Sequence, residues 1–298
     1  MKTITQEKVV YTFSPNNKPV AHVKTGEFVL LKMGDAFGGQ IRDESTPIQK
    51  LDWSKVDGAT GPIFIEDAVP GDTLAVEIVS LKTDSRGVTV TIPGNGILSK
   101  RKIMPTIKIS TIKDGYIDFG RGVRVKSNPM IGTIGVAPAS GSVSSSSLGR
   151  HGGNMDVKDM TAGKILHLPV FSQGALFAAG DMHAVQADGE LCISAVEVTG
   201  EARFKFELMK GKKPHWPVLE SEEFYSILAC GETLEEAASA ATETAVNGLM
   251  REHDWSFEEA YMFGSIAVNL EINQVVDVKK GVRALISKEY VTLESLLF

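Results

Sequence analysis

Leu74-Ala75-Val76-Glu77-Ile78-Val79 sets Leu74, Val76 and Ile78 two residues apart, the period of a pleated strand. The same beat returns at Val88, Val90 and Ile92 between threonines, and at Phe204, Phe206 and Leu208 between Arg203, Lys205 and Glu207. Each run predicts a half-buried antiparallel strand with one wet face. Short β-branched runs broken by glycine, proline and aspartate dominate from the first residue to about residue 230, which predicts a β-rich body. Pro70-Gly71-Asp72, Asp114-Gly115 and Asp188-Gly189 read as turns, because glycine takes the positive φ that other residues avoid, and Asp114-Gly115 reads as a hairpin tip.

Near residue 230 the period changes. Thr233-Leu234-Glu235-Glu236 reads as a capping box ahead of an alanine-rich run to about Glu252, and Ser256-Phe257-Glu258-Glu259 repeats it before Ala260, Tyr261, Phe263, Gly264 and Ala267. Two helices are predicted, packed antiparallel or onto a sheet, and Gly281 to Val291 reads as strand again. The expected fold is therefore mainly β with α: a β-sandwich-type mixed-sheet body with a C-terminal helical pair. Residues 139–149, Ala-Ser-Gly-Ser-Val-Ser-Ser-Ser-Ser-Leu-Gly, are the low-complexity stretch and read as a mobile loop, either a linker or a lid. That divides the chain into an N-terminal β-rich part, 1–138, and a C-terminal part, 139–298, or leaves it as one compact domain.

With 31 basic against 37 acidic residues, a formal charge of −6, the chain lacks the basic excess of a phosphate-tracking surface, so nucleic acid is not an expected partner. The start, Met1-Lys2-Thr3-Ile4-Thr5-Gln6-Glu7, has no apolar signal core, and no uncharged apolar stretch approaches the roughly 20 residues that span a bilayer. A cytoplasmic protein without a membrane partner is the expectation. Cys192 and Cys230 have no partner at metal-ligand spacing and read as small buried hydrophobes in a reducing compartment.

Chemistry concentrates in two segments. In His151-Gly152-Gly153-Asn154-Met155-Asp156 the two glycines let the backbone bend so that His151, Asn154 and Asp156 converge. In Gly180-Asp181-Met182-His183-Ala184-Val185-Gln186-Ala187-Asp188-Gly189-Glu190, Asp181 and His183 are two apart, on one face of an extended strand. A carboxylate and an imidazole aimed at one point are half of a metal site. Such a triplet also arises by chance, and a histidine near a turn is often a hydrogen-bonded structural residue. Asp35 and Gln40 follow the apolar run Phe28 to Leu31 at a strand end, where sites are commonly built, although turn chemistry competes. Glu66 ends the apolar strand Gly61-Pro62-Ile63-Phe64-Ile65, where a solvated strand end explains it equally well. The Walker loop, the dinucleotide fingerprint, H-E-x-x-H and the G-x-S-x-G elbow are all missing. Gly141-Ser142-Val143-Ser144 would suit a serine amidase, but the loop contains no lysine.

Taken together these segments resemble the acetamidase/formamidase family. The matching pieces are Thr60-Gly61-Pro62-Ile63-Phe64-Ile65-Glu66 with Pro70-Gly71-Asp72-Thr73-Leu74, the 151–156 and 180–190 strings, Leu168-Pro169-Val170 through Gly174-Ala175-Leu176-Phe177, Glu259-Ala260-Tyr261, and Gln274-Val275-Val276-Asp277. They cover nearly the whole chain in order; Ala187 stands where a glycine is frequent. The resemblance implies a β-sandwich-containing amidohydrolase with a divalent metal, zinc with calcium as the alternative, turning a short aliphatic amide into a carboxylate and ammonia. It leaves open a lactam-opening member.

An amide needs a polarised carbonyl, an activated water and a proton for the departing nitrogen. On this reading Asp35, Asp181 and His183 hold the metal, and Glu66 or Asp156 moves the proton. Asn154, Gln40 and Gln186 bind the amide or oxyanion, and His151 is a ligand or donor. The rival class is a non-catalytic β-sandwich that holds a cation through the same acids. A homodimer or larger homo-oligomer is expected.

Overall fold

The computed structural model describes all 298 residues. Its longer strands are β1 (Phe28–Met33), β2 (Ala59–Ile65), β3 (Thr73–Thr91), β4 (Thr106–Lys113), β5 (Tyr116–Gly120) and β6 (Met130–Gly135). They continue with β7 (Gly152–Asn154), β8 (Ile165–Pro169), β9 (Phe177–His183), β10 (Glu197–Met209) and β11 (Phe224–Gly231). Helices α1 (Leu234–His253) and α2 (Phe257–Ala267) follow, then β12 (Val268–Gln274) and β13 (Lys280–Ser287).

Two of the alternating runs lie on the single strand β3. Leu74, Val76 and Ile78 are buried at one end and Val88 and Val90 at the other, while Ser80, Lys82, Asp84 and Ser85 between them are exposed. β10 runs antiparallel along it and sets Phe204 opposite Ile78 and Phe206 opposite Val76. β4 and β5 close a hairpin on Asp114 (φ 51) and Gly115 (φ 75), a left-handed pair whose twist suits a tight turn. The labelled strands pair antiparallel; the sheet is mixed because residues 2–4 run parallel to 29–31 and 21–23 parallel to 63–65. Strands on both sides of residue 138 pair with one another, β6 and β2 with β9, and β1 and β3 with β10.

The main core lies inside this curled sheet around Phe177, Phe204 and Phe206, with Phe177 meeting the other two rings edge to face at 5.4 and 5.0 Å. Each fully buried side chain of this size contributes roughly 1.5–3 kcal/mol. A second core forms where α1 covers β11 and β13. A third, Phe37, Ile41, Ile48 and Leu51 on Val88, Val90 and Ile107, ties the segment between β1 and β2 to the far end of β3.

Both predicted helices form, and α2 packs on α1. The Ser256–Glu259 box is complete, whereas Glu236 reaches the amide of Glu232 instead of that of Thr233, so the first cap is displaced by one residue. The Ser-rich segment is not a free loop: Val143–Ser144 pairs with Thr12–Phe13, and Ser145 and Leu148 are buried. Its backbone finds partners that composition does not reveal. Cys230 is buried, Cys192 is half-buried, and both thiols are free. No helix is long and apolar enough to cross a membrane.

Candidate active site

β9 ends on Asp181 and His183, and β10 begins on Glu197 directly opposite His183 in the ladder. His183 Nε2 lies 3.0 Å from Glu197 Oε2 and 3.2 Å from Asp181 Oδ1. Asp181 does not sit on a regular extended strand, since its φ is 55, so the convergence arises from a local bend that strand periodicity does not predict. Across from it, β6 supplies Gly132, placed between the pairs Ile131–Met182 and Thr133–Gly180. A Cβ on Gly132 would come within 2.3 Å of Asp181 Oδ2 and 2.5 Å of Asp156 Oδ1, so this glycine leaves the space that the two carboxylates occupy.

Gln186 sets the state of the imidazole. Its Nε2 donates to the carbonyl of Asp156 at 2.6 Å, which turns Oε1 toward His183 Nδ1 at 2.9 Å. Nδ1 therefore carries the hydrogen, and Nε2 is the nitrogen offered to the carboxylates. Burial favours the neutral ring, yet Glu197 and Asp181 together hold His183 well above the usual histidine range.

Around this group the acids crowd. Asp156, His183 and Glu190 form a second buried set sharing the same imidazole. Both oxygens of Asp156 lack a hydrogen-bond partner. Burial, then the neighbouring Glu190, pushes Asp156 well above the carboxylate range, and burial does the same to Glu190. Burial raises Glu197 to about 7 and Asp277 to about 7, and lifts Asp57 well up as well. Asn154 bridges the wall, accepting from Thr133 at 2.8 Å and donating to Asp277 Oδ2 at 3.1 Å. Asp57, Asp156, Asp181 and Glu190 all have positive φ, as does Ile193 at φ 90. Backbone held in this sparsely populated region costs on the order of 1–3 kcal/mol per residue and gathers at functional sites.

These groups open on a cleft of about 110 Å³ whose polar lining is Asp57, Asn154, Asp181, His183, Glu190, Glu197 and Asp277. Its apolar lining includes Phe37, Trp53, Ile92 and Ile193. Chemically, several carboxyl groups above their ordinary range and an imidazole with two flanking carboxylates can bind a cation and move protons in a partly dry space.

Of the residues predicted from sequence, Asp156, Asp181, His183 and Asn154 are brought together here. Gln186 lies behind His183, its amide spent on protein partners. Asp35 is buried beside a different cleft, with Oδ1 capping the amide of Gly39, and burial raises its pKa. Gln40 uses both ends of its amide on the backbone of Asp52. Glu66 follows the far end of β2, about 20 Å along the strand from the Ala59–Gly180 pair at the usual rise. His151 packs against Phe13 with Nε2 unpartnered, and burial lowers it to about 4.

The sequence reading did not single out Glu190, Glu197, Asp57 or Asp277. Glu190 and Asp277 end quoted strings and carried that signal. Glu197 precedes an alternating strand and reads as solvent-facing, and Asp57 stands before Gly58 as an ordinary turn acid.

A buried imidazole and carboxylate cluster of this kind defines a protein that can hold a metal ion beside a small cleft. The family model described as Acetamidase/Formamidase matches residues 2–148 and 142–288, and the chain belongs to that family. An acetamidase structure from Bacillus halodurans is 34% identical, with a TM-score of 0.95 over 97% of this chain and 98% of that one. A predicted acetamidase/formamidase from Thermoanaerobacter tengcongensis is 36% identical, with a TM-score of 0.93 over 97% of each chain. The formamidase of Methylophilus methylotrophus is 25% identical over 255 residues, 66% of this chain and 63% of that protein. A putative formamidase of Schizosaccharomyces pombe matches over 63% of this chain and 61% of its own length, so the chain spans less than two thirds of these two curated relatives.

Proposed function

We propose that the chain is an amidohydrolase that converts short aliphatic amides, formamide and acetamide, to carboxylate and ammonia in the cleft around His183. The observation that carries this reading is the buried Asp181–His183–Glu197 group in the lining of a small cleft. The names of the relatives point the same way.

A divalent cation fits these residues: two carboxylates converge on one oriented imidazole nitrogen, and the uncompensated acids around them lack a counter-charge. Asp181, His183 Nε2 and Glu197 would hold it. The mixed oxygen and nitrogen donors suit zinc better than calcium, which prefers an all-oxygen shell. Such a cation supplies Lewis acidity, polarising a carbonyl and making water more acidic.

The remaining work falls to the chain. Asp156 and Glu190 bring carboxylate oxygens within 4.8 Å of each other, and burial, with Glu190 adding to it at Asp156, favours the protonated form of both; this pair is placed to take a proton from water and return one to the departing nitrogen. Asn154, fixed by Thr133 and Asp277, presents its amide on the cleft wall to orient the substrate. A homo-oligomer in the cytoplasm completes the proposal; two free thiols are consistent with a reducing compartment, and light scattering that gave a strict monomer would refute the assembly.

Ammonia release from formamide, acetamide and a small lactam tests the reading. Turnover of a linear amide supports it, and turnover of the lactam alone moves the substrate to the lactam class. Silence on all three with a bound cation retained favours a non-catalytic metal-binding module.

A further inference from the structure

We infer that Ile193, with Phe37 and Ile92, forms a rigid apolar stop that sets the length of acyl chain the cleft accepts. This inference rests on the amidohydrolase reading.

All three residues line the same cleft as the acids. Phe37 belongs to the third core, and Ile92 and Ile193 pack against it, so the wall is backed by Ile41, Ile48, Leu51, Val88, Val90 and Ile107. A close-packed backing of that kind does not yield to a longer ligand. The cleft volume of about 110 Å³ is small beside the roughly 300–1,000 Å³ of ordinary ligand pockets. A one- or two-carbon acyl group suits so small a space, and a longer chain directed at these residues meets the wall.

The second observation is conformational. Ile193 has φ 90, where a β-branched side chain is strained and glycine is not. Its neighbours in the chain tie the segment down: the amide of Ile193 donates to the carbonyl of Glu190, and the Ser194 hydroxyl bonds to Val90. The strained backbone thus directs an isoleucine side chain to the cleft three residues after Glu190, at a position where glycine would sit without cost.

The test is the ratio of kcat/KM for butyramide to that for formamide, in the wild-type protein, Ile193→Gly and Phe37→Leu. Glycine relieves the strained backbone, which favours a folded variant, and Phe37→Leu opens the wall from a different element. One methylene in an apolar pocket changes selectivity by about 10-fold or more, so the ratio should rise at least that much in both variants. Folded variants whose ratios stay within about two-fold of wild type would overturn the stop while leaving the amidohydrolase reading intact. Wild-type protein inactive on every amide would overturn both.

Discussion

Glu197 stands directly across the antiparallel ladder from His183, and its Oε2 lies 3.0 Å from the imidazole Nε2. Asp181 Oδ1 closes on the same nitrogen at 3.2 Å, while Gln186 fixes the hydrogen on Nδ1. Strand register, and not loop geometry, delivers the second carboxylate. Glu197→Gln keeps the shape of the side chain and the contact of Oε1 with the amide of Ala195 but removes the charge. Amide turnover should fall on the order of a hundred-fold or more, together with cation content, while the unfolding temperature changes little. Steady-state kinetics and metal analysis of the one preparation check this.

Glu190→Gln addresses proton transfer. A neutral amide cannot exchange a proton with Asp156, so kcat should drop by about 10²–10⁴-fold while the cation stays bound. Equal activity in the variant would remove Glu190 from the mechanism.

Gly132→Ala tests the space that the site needs. The added methyl meets Asp181 Oδ2 and Asp156 Oδ1 well inside contact distance, so both carboxylates must shift. Misplacement by about 1 Å costs on the order of 10² in rate, against about 1–3 kcal/mol in stability for overpacking. Kinetics and thermal unfolding measured in parallel separate the two effects.

The strand body was legible because burial on one face writes a period of two into Leu74, Val76 and Ile78, and the helices because Thr233 and Ser256 carry their caps with them. The site was legible in part. Asp156, Asp181, Asn154 and His183 sit in glycine-rich strings that announce irregular backbone. Glu197 was hidden because its partner is set by inter-strand register, which a local pattern does not carry. Asp35 and Gln40 show the reverse: polar groups at a strand end that spend their hydrogen bonds on Gly39 and Asp52.

Behind the site, Arg283 is wholly buried and bonds Asp188 at 2.9 Å, Asn273 at 2.8 Å and Asp159 at 3.1 Å, with Glu271 also paired. Arg283→Met leaves the buried Asn273 Oδ1 unpaired and three partly exposed acids without their common partner, Asp188 keeping Lys158, and should cost roughly 1–3 kcal/mol. Because Asp188-Gly189 leads into Glu190, activity should fall in the fraction that stays folded. Denaturant unfolding gives the first number and kinetics on the folded fraction the second.

Acid stability should depend on Glu220. Its hydrogen bond with His167 at 2.7 Å, and then Lys288, outweigh burial and lower it to about 2. A folded pKa below the unfolded value contributes stability that is present above about pH 4.5 and is lost as pH falls through about 2. Glu220→Gln should therefore melt at a lower temperature at pH 6, with the gap to wild type closing toward pH 2. A gap that is constant across that window would assign the effect to packing.

In the proposed mechanism Asp181, His183 and Glu197 hold a divalent cation on which amide hydrolysis depends. The most direct measurement is ammonia release from formamide before dialysis against a chelator, after it, and after zinc is restored. Activity should be lost with the cation and return with it. Full activity in protein shown by metal analysis to be free of divalent cations would contradict this mechanism.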